Sequence, residues 1–310
     1  MIKLLLILIL ININFDTQAK IETTLLNLYN NFNNVRDFTK FKKEAYFSAQ
    51  STLGDISVIV KVIKINGQWS NPTIASFSGS HHDMEPFITT DGLKLYFASK
   101  RPTSIDDTTK DVDIWFVKRD SIDGDWSNPI NLGAPINTDK NEFYPSLADN
   151  NNLYFTANYS DSKGKDDIYV SQFKDGNYQK PYSLSAMINT EGEEYNAFIA
   201  PDESYLIFGA YKRADGFGSG DLYISHKDNA GKWSQAKNMG EPINSKSMEY
   251  CPFVDMNTYQ LYFTGRRNNQ DTHQFKNIKN LLETFNSYEN GMSRIYSTTF
   301  KTISNSLNNL

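Results

Sequence analysis

A four-part pattern recurs along most of this 310-residue chain and limits what the chain can fold into. Its most regular part is a Leu-aromatic-Phe type of triplet. The triplet stands at residues 95–97, 153–155, 206–208 and 261–263, with a weaker copy at 45–47. An acidic residue precedes each clear copy, a triplet resembling Asp-Ile-Tyr follows it, and a Gly-x-aromatic turn precedes the next copy. Such self-similarity at a fixed period is the signature of a repeat architecture.

The spacing and the turns of the repeat predict a β-propeller. Successive acids are 59, 52 and 55 residues apart, and the turn aromatics follow at 57, 52 and 55. In the second copy, strand-like segments at 86–90, 93–99, 113–119 and 126–132 are separated by turn residues such as Asp91-Gly92 and Asp123-Gly124. Four antiparallel strands per copy predict an all-β fold of four-stranded blades. Five copies predict five blades, with six as the alternative, and a terminal strand is expected to complete the last blade.

Composition excludes several classes of protein. Aromatic residues make up 14% of the chain, in keeping with strands, and the mean hydropathy of −0.53 is that of a soluble chain. The net charge of −5 offers no cationic excess for a nucleic acid. A single Cys excludes an internal disulfide and a Cys-cluster zinc site. We therefore expect a monomer without cofactor or metal, and without a membrane span.

The ends of the chain and one insertion lie outside the repeat. Residues 1–19 have a short positive start, an apolar run and small residues at 17–19, the pattern of a signal peptide. Residues 20–40 carry apolar side chains at helical spacing and predict a short N-terminal helix. The propeller is expected over residues 41–310. Within it, residues 268–292 predict a helical insertion that either covers exposed sheet, the favoured interpretation, or forms a lid over the pore.

The repeat resembles that of a known family. The chain carries Ile-Asn-Thr at 136–138 and 188–190 and Ile-Asn-Ser at 243–245, each leading to the next acid. Together with the triplets and the Gly-x-Trp turns, this resembles the WD40-like PD40 repeat of TolB-type propellers, from about residue 43 to 300. The resemblance implies an exported propeller, often a non-catalytic binding module, in the periplasm or secreted. Sialidase-type Asp boxes are absent from the sequence.

Charged residues are expected to converge on one mouth of the central channel. In a propeller, the loop entering the innermost strand and the loop between the second and third strands open on the same face. We expect a polar ligand site there, formed by Asp83, Glu142, Glu194, Glu249, Arg101, Arg213, Arg266 and His82. The alternative is architectural, a ring of Glu–Arg pairs that tie the blades together. His82 stands out because it follows another histidine and precedes Asp83, where the next copy has Lys140-Asn141.

Two functions remain open from the sequence. The first is a non-catalytic module that binds a protein partner or a glycan in the cell envelope. The alternative is a carbohydrate-active enzyme, a glycoside hydrolase or a polysaccharide lyase, with its site at the channel mouth. An enzyme predicts an asymmetric mouth with one deep pocket and a carboxylate whose pKa is raised by burial. A binding module predicts a shallow funnel in which every acid is paired.

Overall fold

The computed structural model describes residues 22–26, 32, 34–108, 111–268 and 275–300, and it forms a five-bladed propeller. The chain opens with β1 (Thr24–Leu25), which belongs to the last blade. The first blade contains β2 (Asn34–Phe41), β3 (Glu44–Gln50), β4 (Ser57–Ile65), β5 (Gln68–Trp69) and β6 (Thr73–Ile74). The second contains β7 (Asp83–Ile88), β8 (Lys94–Ser99), β9 (Asp113–Lys118) and β10 (Ile130–Asn131).

The remaining blades repeat this order. The third contains β11 (Glu142–Leu147), β12 (Leu153–Ala157), β13 (Asp167–Ser171) and β16 (Tyr182–Ser183), with a hairpin of β14 (Phe173–Lys174) and β15 (Asn177–Tyr178). The fourth contains β17 (Glu193–Ile199), β18 (Tyr205–Tyr211), β19 (Asp221–His226) and β20 (Lys237–Asn238). The fifth contains β21 (Glu249–Asp255), β22 (Gln260–Gly265), β23 (Arg294–Thr299) and β1. The predicted fold class, all-β with five four-stranded antiparallel blades, is confirmed.

The N-terminal strand closes the ring. Strand β1 pairs antiparallel with β23, with Thr24 opposite Ser297 and Leu25 opposite Tyr296. The Leu26 amide then donates to the Ile295 carbonyl at 2.8 Å. The last blade therefore takes its outer strand from the start of the chain, which leaves no exposed long edge between the first and last blades.

The Ile-Asn motif of the repeat holds the connection between blades against the third strand. Ile136, Ile188 and Ile243 have no exposed surface. The side chain of Asn244 accepts from the Leu222 amide at 2.8 Å and donates to the Leu222 carbonyl at 2.9 Å. Asn137 and Asn189 bond Ile114 and Ile168 in the same way. Each Asn thus satisfies a backbone donor and acceptor that the very short outer strand leaves open.

The helix predicted over residues 20–40 is not present in the described part of that segment. Leu25 lies in β1, and Asn34–Phe41 forms β2, the innermost strand of the first blade. The apolar residues there match a helical period, but pairing with β3 and β23 decides their conformation. The predicted signal peptide, residues 1–19, lies outside the described residues.

The insertion in the fifth blade contains a short helix, α1 (Ile278–Phe285). Asn277 caps its first turn by accepting a hydrogen bond from the Asn280 amide at 2.9 Å. None of the helix residues is buried, and Ile278 is 69% exposed. Leu282 and Phe285 are likewise 51% and 57% exposed, so the helix does not bury an apolar face against the sheet, as the interpretation favoured from the sequence requires.

Replacing Leu26 with Pro tests the closure. Proline removes the amide that bonds Ile295, so we expect the free energy of unfolding to fall by about 1–3 kcal/mol relative to Leu26→Ala. Leu26→Ala is the matched control, because it removes side-chain packing but keeps the amide. Urea unfolding followed by tryptophan fluorescence measures both. Equal midpoints for the two variants would show that β1 does not hold the ring closed.

Candidate functional site: the channel mouth

The charged loops open at the same end of the ring, as the repeat predicts. Asp83, the first residue of β7, lies opposite Ser99, the last residue of β8. The same register brings Glu249 opposite Gly265 in the fifth blade. The acid before each innermost strand and the loop after each second strand therefore meet at one mouth of the channel.

The four mouth acids (Asp83, Glu142, Glu194 and Glu249) have no exposed surface. Three of them pair with an arginine of their own blade: Asp83 with Arg101 at 2.6 Å, Glu194 with Arg213 at 3.0 Å, and Glu249 with Arg267 at 3.2 Å. The same arginines donate to carbonyls in the connection from the preceding blade, such as Phe77, Ile188 and Ile243. Each pair thus links an innermost strand to the neighbouring blade.

The loop before each acid supplies the remaining donors. Glu249 accepts from the Ser245 amide at 2.8 Å and from its hydroxyl at 2.6 Å. Thr190 and Thr138 serve Glu194 and Glu142 in the same way. The third residue of the Ile-Asn-Thr/Ser motif therefore donates hydrogen bonds to the carboxylate of the acid that follows it. Asp83 and Glu194 therefore have no surface to offer a ligand, and together with Arg101 and Arg213 they hold the innermost strands to the connections between blades.

The third blade departs from this arrangement. Tyr159 occupies the position of the arginine, and its hydroxyl donates to the Ile136 carbonyl at 2.8 Å. Glu142 has no cationic partner among the described residues, and burial raises its pKa to about 7, against the lowering effect of the hydrogen bonds from Thr138. Glu142 is thus a carboxyl that keeps its proton close to neutral pH inside the scaffold.

Arg266 and His82 lie apart from the buried pairs. Arg266 precedes the arginine that pairs with Glu249 and is exposed. Its guanidinium stands 5.7 Å from the centre of the Tyr250 ring, and its Nε donates to Ser293 Oγ at 3.3 Å. His82 is partly exposed, and its Nδ1 is 3.3 Å from the Asp55 carbonyl. Partial burial lowers the pKa of His82, with the nearby Lys100 acting in the same direction.

A second set of residues, which we call the channel cluster, lies further down the channel. Every innermost strand has a bulge at which the register shifts, and one residue at each bulge has a positive φ. These five residues are Asp37, Glu85, Tyr144, Asn196 and Cys251. The bulge turns one side chain from each blade towards its neighbours across the channel. Together with Arg36, they form the channel cluster.

Arg36 joins the two carboxylates of the cluster. Its Nε donates to Asp37 Oδ1 at 2.6 Å and its Nη2 to Glu85 Oε1 at 2.7 Å. Glu85 Oε2 accepts from the Tyr144 amide at 2.7 Å, and Asn196 Nδ2 lies 3.4 Å from Oε1. Asp37 and Glu85 are 1% and 4% exposed. The first and second blades thus place two carboxylates around a single guanidinium.

Glu85 forms part of the wall of a funnel of about 260 Å³ at this mouth. Burial raises the pKa of Glu85 to about 7, since the desolvation of its carboxylate outweighs the attraction of Arg36. The funnel is asymmetric, because its other walls come mainly from the third, fourth and fifth blades. They include Phe143, Tyr195, Tyr250 and Arg266. The funnel combines aromatic surface with a few polar groups, as ligand pockets do.

One variable position within the repeat could have identified the channel cluster from the sequence. The residue before the recurrent Pro or Ala differs in every clear copy: Glu85, Tyr144, Asn196 and Cys251. Arg36 and Asp37 were missed because their segment was assigned to a helix. Cys251 is buried, and its Sγ lies 3.5 Å from Arg36 Nη2, inside the polar cluster.

In the described ranges, no group of three or more His, Cys, Asp or Glu residues is placed to hold a metal ion. Among the helices of the described residues, none has the length and apolar character needed to cross a bilayer.

Solved structures are similar to the chain in fold. The chain resembles the GH43 endo-arabinanase from Bacillus licheniformis with a TM-score of 0.50 and 16% identity, over 86% of this chain and 93% of the other. It also resembles an endo-arabinase from Bacteroides thetaiotaomicron with a TM-score of 0.51 and 16% identity, over 80% and 94%. No protein-family model and no curated protein sequence matches the chain. At this identity the likeness shows the propeller fold alone.

Stability should depend on pH through Glu142. Its pKa is about 7 in the folded protein and near 4.5 when unfolded, so the folded state binds more protons between these values. The free energy of unfolding should therefore fall as pH rises from 4.5 to 7, with about 1–3 kcal/mol of the fall due to Glu142. Glu142→Gln should remove that part of the slope in urea unfolding measured between pH 4.5 and 8. An unchanged slope would mean that Glu142 ionises normally.

Proposed function

We propose that the protein is a carbohydrate-active enzyme that hydrolyses a glycosidic bond in the funnel at the channel mouth. The observation that carries the proposal is Glu85, a buried carboxyl in the funnel wall whose pKa is raised to about 7. A carboxyl with this pKa holds its proton near neutral pH and can give it to a leaving oxygen. Asp37, on the other side of Arg36, supplies the second carboxylate.

Glycoside hydrolysis needs two carboxyl groups of different role. One protonates the glycosidic oxygen, and the other, ionised, either activates a water or attacks the anomeric carbon. We assign the proton-donating role to Glu85, whose pKa is raised, and the second role to Asp37, the other carboxylate bonded to Arg36. The aromatic rings of Phe143 and Tyr195 supply apolar surface for the faces of sugar rings.

One observation favours a second candidate, a non-catalytic glycan-binding module. Both oxygens of Glu85 already accept hydrogen bonds from the protein, from Arg36 and from the Tyr144 amide. A substrate must displace at least one of these donors to reach the carboxyl. A binding module needs no such displacement, because its ligand stays in the outer part of the funnel.

The residue pattern supports a wider proposal about family and location. We propose that the chain belongs with the PD40-repeat propellers, on the strength of its Ile-Asn-Thr/Ser, Leu-Tyr-Phe and Gly-x-Trp elements. The signal-peptide pattern of residues 1–19 supports export to the periplasm or the exterior. Its glycan, or a protein partner, is then a component of the cell envelope.

Glu85→Gln tests the enzymatic proposal. Against a panel of neutral and acidic oligosaccharides, we expect the variant to lose about 100-fold or more in kcat, the share typical of general acid catalysis. On a dinitrophenyl glycoside, whose leaving group needs no proton, the loss should be much smaller. The wild-type rate should also fall above about pH 7, where Glu85 gives up its proton.

Glu203→Gln is the matched control. Glu203 is a carboxylate outside the mouth that bonds Asn152 and Tyr154, so the change should leave kcat within about twofold. Thermal melting of both variants checks the fold. If the wild-type protein binds a member of the panel without hydrolysing any, the enzyme is excluded and the binding module is retained.

A further inference from the structure

Three exposed cations, which we call the rim cations, lie at the end of the ring where the mouth opens. Lys100, Lys212 and Arg266 each directly follow the second strand of their blades, one position before the arginine of the buried acid pair. All three are exposed. Within the described part of the chain, they form no ion pair, whereas Arg101, Arg213 and Arg267 are all paired.

Arg266 is the rim cation that lines the funnel itself. The Tyr250 ring supports its guanidinium from one side, and Ser293 holds its Nε. These two contacts orient the side chain and leave its two terminal nitrogens without a partner among the described residues. A planar, oriented guanidinium with free terminal nitrogens matches the two oxygens of a carboxylate.

Tyr195 also lines the funnel. Its hydroxyl is buried beside Gly220 and has no hydrogen-bond partner in the described residues. The donors without a partner that the funnel offers to a ligand are therefore the terminal nitrogens of Arg266.

We propose that the funnel binds a uronic-acid glycan, with the carboxylate of one sugar held by Arg266. This proposal rests on the glycan site proposed above and names its substrate class. Asp166 and Glu193, which also line the funnel, accept hydrogen bonds from sugar hydroxyls. Glu193 pairs with Lys165 at 3.6 Å, which reduces its repulsion of the uronate.

The test compares one sugar chain in two charge states. Trigalacturonate and its methyl ester have the same backbone, but only the first carries carboxylates. Binding is measured by calorimetry at low salt, in the Glu85→Gln background so that hydrolysis does not interfere. We expect the acid form to bind at least tenfold more tightly than the ester. Arg266→Ala should abolish the difference, and Arg266→Lys should restore only part of it. Lys174→Ala, an exposed lysine on β14, is the control and should change nothing.

Each alternative result has a distinct meaning. Equal binding of acid and ester, no binding of either, or a preference that survives Arg266→Ala overturns the proposal. A sulfated disaccharide that binds through Arg266 at least as tightly as trigalacturonate also overturns it, since the site would then recognise sulfate. If trigalacturonate binds through Arg266 but wild-type protein hydrolyses no glycan, the uronate site stands and only the hydrolase proposal fails.

Discussion

The whole structure depends on closure of the ring by backbone hydrogen bonds between β1 and β23. An open stack of twisted sheets would leave its first and last blades with exposed edges and no facing neighbour. Closure makes every innermost strand face the channel, so one residue from each blade approaches the axis. The buried acid–arginine pairs then fix the connections between blades at the mouth. Because the scaffold is secured at these repeated positions, the residues at the bulges are free to differ.

That division between repeated and variable positions organises the site. The mouth acids occur in every clear copy of the repeat, and they proved to be buried, bonded carboxylates of the scaffold. The bulge residues differ in every blade, and they form the channel cluster around Arg36. A residue that joins neighbouring blades must be of a similar type in each blade, since its surroundings are the same in each blade. A ligand breaks the symmetry of the ring, so the residues that contact it need not match.

Burial raises the pKa values of Glu142 and Glu85 to a similar extent, but the two carboxyls lie in different surroundings. Glu142 lies within the scaffold of the third blade, where Tyr159 replaces the usual arginine. Glu85 lies in the funnel wall, beside an arginine that it shares with Asp37. In each case desolvation of the charged form is the largest effect on the pKa. A raised pKa alone therefore does not identify a catalytic group, and the position of Glu85 in the funnel is what distinguishes it.

The sequence by itself determined the fold class and the end of the ring at which the charged loops meet, and it indicated five blades with six as the alternative. It did so because the strand and turn pattern repeats, and each copy forms the same local packing and the same hydrogen bonds. Only the tertiary structure decided that residues 34–41 form an innermost strand, that Arg267 pairs with Glu249 while Arg266 has no ion pair among the described residues, and that Arg36 joins Asp37 to Glu85. Those contacts connect residues as far apart as 36 and 251. They depend on how the blades face one another around the channel, and no local pattern in the chain encodes that arrangement.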